Sequence, residues 1–516
     1  MAASKTIAIV ATTLASVFAR FASLASQAIV GWYLSEEQVG TYAFALGVMG
    51  ITSLFRGGGM ALYLPSVKPD ELDGTVPKLL AWSTLFMWGS GLATIAVAAG
   101  ATSLSGRFPN FGLEGLQVTL LLLAVRQFLA PLAIVARIRV SVERRFTELA
   151  RMDTFNAILR IAMTWIAARE GGGVLALAIP YVAQTVIEVV GIGTLGGLKR
   201  SDFRFRGVSL RQVGAILAWP LVAGAMMSIR SDVVFLILGI AIPAAALGVF
   251  YFAFQLANQP TMLLAGALQN VLAPYQAQDH GNREAERIGM ERVFSGSMLF
   301  VPVTTIATAS LFPSLEALIW SGRWAGAQGC LMYLCIGATY STVSALMTGP
   351  LIGLRRFRAL TMFEATKIIG TVGGGVIGAM FIASGDEGPF GAATDATIIG
   401  ACVGIAMGVV AIAQLVWVMH RVGSSAGEIG RNLLFGPMLA MLTALASQSI
   451  GHSIRESFGL PDGRLGAAVE LASVGLVYCG LIVLAIRFTA EPTLRETVRV
   501  LPAPAARAIN RVLGLR

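Results

Sequence analysis

Charge is scarce in this 516-residue chain, where Asp, Glu, Lys and Arg make up 13% of the residues. Soluble domains carry about 25%. With 56% hydrophobic residues and a mean hydropathy of +0.74, that scarcity excludes a string of soluble globular domains. Cysteine is equally sparse. Cys330, Cys335, Cys402 and Cys479 all fall inside apolar runs, which argues for core packing over disulfides or metal ligation. His280, His420 and His452 lie far apart, so no His/Cys metal cluster is expected. No GxxxxGK[ST] sequence occurs, which removes ATP as the energy source. The outer connections are short and show no catalytic constellation, so neither an enzyme nor a cofactor is expected.

What the chain has in quantity is apolar sequence in runs long enough to cross a bilayer as helices, about 18 residues or more. These runs predict an all-α polytopic membrane protein. Spans are expected near 7–33, 41–64, 79–102, 117–136, 153–168, 173–197, 213–239, 244–272, 294–319, 327–352, 359–383, 395–419, 432–450 and 466–486. The first run is too long for the apolar region of a signal peptide and lacks an A-x-A cleavage site, so it is read as a retained span.

The +10 net charge would suggest nucleic acid if it were not so unevenly placed. With the amino terminus inside, 27 of the 38 basic residues fall in inner connections and the tail, and only five fall outside. That bias predicts both termini in the cytoplasm. The basic balance then serves orientation and contact with anionic lipid headgroups, and no nucleic-acid partner is expected. The tail "TLRETVRVLPAPAARAINRVLGLR" is mildly amphipathic and is expected to lie on the inner surface.

"GWYLSEEQVGTYAFA" (31–45) and "GIAIPAAALGVFYFA" (239–253) align without a gap at an offset of 208. Gly31 meets Gly239, Gly40 meets Gly248 and Phe44 meets Phe252, each stretch crossing an outside turn after spans one and seven. The alignment predicts two parallel six-helix repeats, the architecture from which many transporters build a pair of rocking bundles. The expected divisions are an N-lobe over 1–206, a C-lobe over 207–421, two extra helices over 422–489 and a cytoplasmic tail over 490–516.

Six basic residues remain inside the spans: Arg20, Arg56, Arg126, Arg160, Arg230 and Lys367. A charge at the centre of a membrane helix costs on the order of 2.5–3.5 kcal/mol. The four arginines of the first six helices would together cost on the order of 10–14 kcal/mol, as much as the stability of a typical domain. Only Glu188 lies well inside a span of that unit to offset them, with Asp153 near an entrance. The arginines are therefore expected to share a hydrated cavity or to await an anion. In the first span Thr13, Ser16, Arg20, Ser23 and Gln27 follow a 3-4-3-4 spacing, one polar stripe that must face water or protein.

Other positions admit two readings. Arg56 either lines the cavity or snorkels toward the inner surface, and Gly57-Gly58-Gly59 beside it allows close backbone approach. Asp153, Asn156 and Arg160 form either a second stripe or a polar cluster at a span end. Arg126, beside Gln127, either reaches the cavity or bridges helices. Arg230 and Asp232, two apart, cannot pair directly on a regular helix. Glu364 and Lys367, three apart, either neutralise each other or take part in ion coupling. The candidate substrate-binding residues are thus Arg20, Ser23, Gln27, Arg56, Arg126, Arg160 and Arg230, and the candidate ion-coupling residues Glu188, Asp232, Glu364 and Lys367.

"WYLSEEQVGTYAFALGVMGITSLFRGGGMAL", "ARIRVSVERRFTELARMDTF" and "RSDVVFLILGIAIPAAALGVFYFAFQLANQP" followed by "NVLAPYQAQ" resemble, in order, the polysaccharide transport family. Its members are lipid-linked oligosaccharide flippases of the multidrug/oligosaccharidyl-lipid/polysaccharide exporter superfamily. The likeness covers roughly residues 10–380. It implies a V-shaped pair of six-helix lobes and transfer of an undecaprenyl-diphosphate-linked glycan from the inner to the outer leaflet of a bacterial plasma membrane. It implies cavity cations on the first two helices, where Arg20 and Arg56 stand. Many relatives have an acidic residue just before the glycine that ends the second helix, where this chain has Arg56. Expected partners are the glycan lipid, membrane lipids and the polysaccharide polymerase machinery, with the chain acting as a monomer. A multidrug exporter on the same scaffold is the main rival and would need an acidic cavity. A membrane glycosyltransferase would need a catalytic carboxylate near a large loop, and an assembly protein would have no use for four costly arginines.

Overall fold

The computed structural model describes residues 18–19, 21–54, 60–63, 72–143, 145–203, 210–260, 283–353, 357–384, 394–459 and 463–489. The sequence expectations for Thr13, Ser16, Arg20, Arg56, the Gly57–Gly59 run and the tail over 490–516 lie outside them. Helices dominate, and no strand occurs among the described residues. In chain order the long helices are α1 (21–33), α2 (Glu36–Thr52), α3 (Leu72–Ser105), α4 (Leu116–Val142), α5 (Phe146–Arg169), α6 (Leu175–Ile187) and α7 (Leu210–Ala241). They continue as α8 (244–260), α9 (Arg283–Ile319), α10 (Ala327–Gly353), α11 (Phe357–Ser384), α12 (Asp395–Val422), α13 (Ala426–Ser457) and α14 (Arg464–Thr489).

Among the described residues nine helices are long and apolar enough to cross a membrane, or ten if the bent halves of α7 form one span. The chain is a multi-pass α-helical membrane protein. α5 is not among the nine, although it runs for 24 residues. Glu148, Arg151, Asp153 and Arg160 lower its hydropathy, and two of these, Asp153 and Arg160, line the cavity described below.

Contacts divide the chain into two compact units. The first comprises residues 1–251 and 357–379. Within it α2 packs on α7, α3 on α4, and α4 and α5 on α6. α2 begins with a capping box, Ser35 Oγ accepting from the Gln38 backbone N–H while the Gln38 side chain accepts from the Ser35 N–H. Gly40 and Gly248, the pair aligned in the sequence, face each other. A Cβ on Gly40 would strike the Ala244 carbonyl oxygen, and one on Gly248 the Glu36 carbonyl oxygen. Only glycine allows that backbone approach. Asn110, in the α3–α4 connection, donates to the carbonyls of Gly239 (2.6 Å) and Ile242 (2.9 Å), satisfying the exposed end of α7. Thr52, Thr94 and Gln127 link α2, α3 and α4 through bonds of 2.7 and 3.2 Å.

The polar residues at the base of α4 revise the sequence reading. The apolar run of 117–136 stops just before Arg137, which makes Arg137 and Arg139 inner-loop charges. The helix instead continues to Val142. Arg139 is fully buried there, bidentate to Asp202 with both bonds at 2.6 Å. Hydropathy ends a span at the first charge because it cannot see a partner 63 residues away. At the turn into α5, Arg145 bonds Glu148 (2.6 Å) and the Leu195 carbonyl (2.6 Å), and the Glu148 bond raises the affinity of its guanidinium for its proton.

The second unit comprises residues 252–356 and 380–516. α10 packs against α12 at unusually close range, because Gly337 meets the Gly404 carbonyl and Gly404 meets the Tyr333 carbonyl. Gly400, Gly404 and Gly408 form the small-residue stripe that such contacts require. Thr305 bonds Thr339 (2.7 Å), and Ser344 donates to Gln414 (2.6 Å). Between α9 and α10 the buried Trp324 stacks on Phe252, ring centroids 4.1 Å apart, while its backbone N–H donates to the Glu316 carboxylate. At the start of α9 Arg287 donates to Glu284 (2.7 Å) and Glu291 (2.9 Å), and Ser424 donates to Glu291 (2.7 Å). The hydrogen bond from Arg287 holds the Glu284 carboxyl below the usual carboxylate range, so that contact persists at neutral pH and is lost as acidification protonates Glu284.

Candidate functional site

Inside the first unit residues at α1, α4, α5 and α6 line an open polar cavity of about 330 Å³. Its walls are Ala19 just before α1 and Ser23 on it, Arg137 from α4, Asp153, Asn156, Ala157 and Arg160 from α5, and Gln184 and Glu188 from the end of α6. The α5 residues recur at intervals of three and four, so one face of the helix carries the whole set. Asp153, Asn156 and Arg160 thus line the cavity together.

α6 presents Glu188 where its geometry changes. From Glu188 to Gly197 the helix adopts wide π-type turns, ending at Gly196 with φ 82°. Such turns cluster at functional positions because they re-aim side chains at some cost in hydrogen-bond geometry. Three contacts brace the segment: Arg145 on the Leu195 carbonyl, Gly197 against the Ala136 backbone, and Gly191 against Met152.

The cavity lining holds two arginines and two carboxylates, unevenly paired. Arg137 pairs with Asp153 at 2.8 Å and with Glu188 at 3.3 Å, so both cavity carboxylates already share one guanidinium. Arg160 makes no ion pair or hydrogen bond among the described residues. Arg126 stands nearby with its guanidinium 3.9 Å from the centre of the Tyr181 ring, a cation–π contact, and its Nε is buried without a partner. Tyr42 lies within electrostatic range of both Arg126 and Arg160 and meets Tyr251 edge-on, centroids 6.1 Å apart. One cation is thus spent on two carboxylates, while two others form no ion pair among the described residues.

Of the remaining sequence candidates, Ser23 lines the cavity and Gln27 does not. Arg230 lies elsewhere in the unit, 3.5 Å from Glu364. Glu364 also accepts from Lys367 at 3.1 Å, both side chains being almost fully buried. Glu364 is thus ion-paired with Lys367, with Arg230 as a second cation on the same carboxylate. Asp232, on α7 with Arg230, has its Cβ against Gly50 of α2. Sequence reasoning missed Arg137. The available signal was its position 16 residues before Asp153, which places the two opposite each other across the α4–α5 hairpin.

Residues 34–328 match the family model of polysaccharide biosynthesis proteins. The chain belongs to that family. No curated protein matches it. Among solved structures it is similar to the lipid II flippase MurJ in an inward closed conformation, at a TM-score of 0.66 and 12% identity, covering 92% of this chain and 98% of that one. It is similar also to an inward-facing multidrug resistance MATE family transporter of the MOP superfamily, at a TM-score of 0.57 and 15% identity, covering 80% and 98%. A MOP superfamily transporter from Pyrococcus furiosus, described as having a binding pocket of reversed polarity, gives a TM-score of 0.55 at 15% identity, covering 80% and 95%. At these identities the likeness establishes the fold. This polysaccharide biosynthesis family member has the fold of flippases and transporters of the MOP superfamily.

Proposed function

We propose that the protein is a flippase that carries an undecaprenyl-diphosphate-linked oligosaccharide from the inner to the outer leaflet of the bacterial plasma membrane, for surface polysaccharide synthesis. The observation that carries this reading is the uneven pairing of the cavity's two arginines and two carboxylates. Arg137 takes up both carboxylates of the lining, and Arg160 remains for an anion, with Arg126 outside the lining but within electrostatic range of Glu188. A diphosphate cannot cross hydrocarbon without cations that replace its hydration, and planar guanidiniums bind phosphate oxygens two at a time. The glycan stays in the wet cavity while the prenyl chain stays in lipid. Alternating access, with rocking of repeats about the site, moves the headgroup across.

By their sequence register Arg20 and Arg56 join this cation set in the proposal, and both termini are cytoplasmic. A cationic-drug exporter on the same fold would bind its cargo through Asp153 and Glu188, but Arg137 already occupies both. The test is reconstitution in vesicles containing lipid-diphosphate-linked oligosaccharide. Wild-type protein is expected to translocate it, and Arg160→Ala to slow translocation at least tenfold. Export of organic cations with no movement of the glycan lipid would overturn the reading in favour of the drug exporter.

A further inference from the structure

We infer that the cavity takes up a proton together with its anion, and that Glu188 is the carboxylate that accepts it. The inference rests on the reading of this cavity as an anion site, and it adds a second ligand to that site. Two carboxylates line the cavity and share Arg137, but unequally. Asp153 meets both terminal nitrogens of the guanidinium, each at 2.8 Å. Glu188 meets one of them, through a single oxygen at 3.3 Å. Its side chain is 28% exposed and lines the cavity that an anion enters. Glu188 is therefore the more loosely held of the two, and the one that competes with an incoming anion for Arg137.

One proton on Glu188 favours the anion in three ways. It removes a negative charge that repels the anion at short range, where screening is weaker than in bulk water. It releases a nitrogen of Arg137, a group that can only donate, to the anion. It also turns Glu188 from a carboxylate that can only accept into an O–H donor. By linkage, the anion then favours the proton by the same factor as the proton favours the anion. The charged groups facing Glu188 are Arg137 and, at longer range, Arg126 from α4, with Asp153 and Arg160 from α5. Ser23 from α1 and Gln184 from α6 line the same cavity without charge. Asp153, held at two points, keeps Arg137 in place while Glu188 changes state. Anion affinity is thus greatest at acid pH and falls as pH rises through the titration of Glu188. It levels off once Glu188 is ionised with or without the anion.

Isothermal titration calorimetry of the full chain in detergent tests this with sulfate, whose charge is constant from mildly acidic to mildly basic pH. Repeating each titration in buffers of different ionisation enthalpy counts the protons taken up. Wild type is expected to bind sulfate with uptake of up to about one proton per anion, and to lose affinity by up to about tenfold per pH unit, the limit for one linked proton. In Glu188→Gln, which fixes the neutral state, sulfate should bind at least as tightly as it does to wild type at neutral pH, with no pH dependence and no proton uptake. If that variant fails to fold, infrared difference spectra of wild type serve instead, and sulfate should bring up the C=O band of a protonated carboxyl. Sulfate binding by wild type without proton uptake or without that band overturns the inference, as does uptake that survives Glu188→Gln. Those outcomes leave the flippase reading standing, because the anion still binds. A wild type that neither binds sulfate nor translocates the glycan lipid removes both.

Discussion

Arg139 and Arg137 stand two residues apart on α4 and put their charge to opposite uses. Arg139 is enclosed with Asp202 at zero side-chain exposure, and Asp202 also accepts from the Lys199 backbone N–H. Removing one partner of such a pair leaves a bare buried charge, at a cost of about 3–5 kcal/mol, while replacing both with apolar residues is often neutral. Arg139→Met is therefore expected to lower the melting temperature sharply, and Arg139→Met with Asp202→Leu to recover most of the loss; equal destabilisation by the single and double variants would contradict the assignment. Arg137 instead sets the sign of the cavity. Arg137→Met releases Asp153 and Glu188 as two uncompensated negative charges beside Arg160, and phosphate affinity measured by calorimetry should fall at least tenfold. Unchanged affinity would mean that Arg137 does not govern the cavity's charge.

At the scale of the helices, close glycine contacts set the packing of both units. Gly404 on α12 meets the Tyr333 carbonyl of α10, so a larger side chain must push the two apart. Gly404→Leu is expected to lose roughly 1–3 kcal/mol of stability, read as a lower melting temperature in detergent. Gly427, with nothing near its missing Cβ, should accept alanine without loss. Much of this level was legible in the sequence. Apolar runs gave most helices to within a few residues, and Asp153, Asn156 and Arg160, grouped by their spacing in the sequence, line one cavity. The failures have one physical cause. A hydropathy window sums charge along the chain and is blind to partners across it, so the inner end of α4 and its two arginines read as loop. The π-type geometry after Glu188 left no mark in residue pattern either, because contacts from Arg145, Ala136 and Met152 hold it in place.

For the whole molecule, a family of polysaccharide biosynthesis proteins and a transporter fold go with a polar cavity in which Arg160 has no ion pair among the described residues. Low charge and recurring apolar runs were enough to make the membrane architecture legible in the sequence. The site was only half legible, because the sequence names six intramembrane cations without saying which are already neutralised. Arg230 and Lys367 prove to share Glu364, while Arg160 has no carboxylate among the described residues. The most direct test of the account is the rate at which the purified protein moves a lipid-diphosphate-linked oligosaccharide across vesicle membranes, compared among wild type, Arg160→Ala and Arg169→Ala. The account predicts transport by wild type, at least a tenfold loss in Arg160→Ala and a near-normal rate in Arg169→Ala, whose side chain sits over Trp165 at the far end of α5. A rate untouched by Arg160→Ala would contradict it.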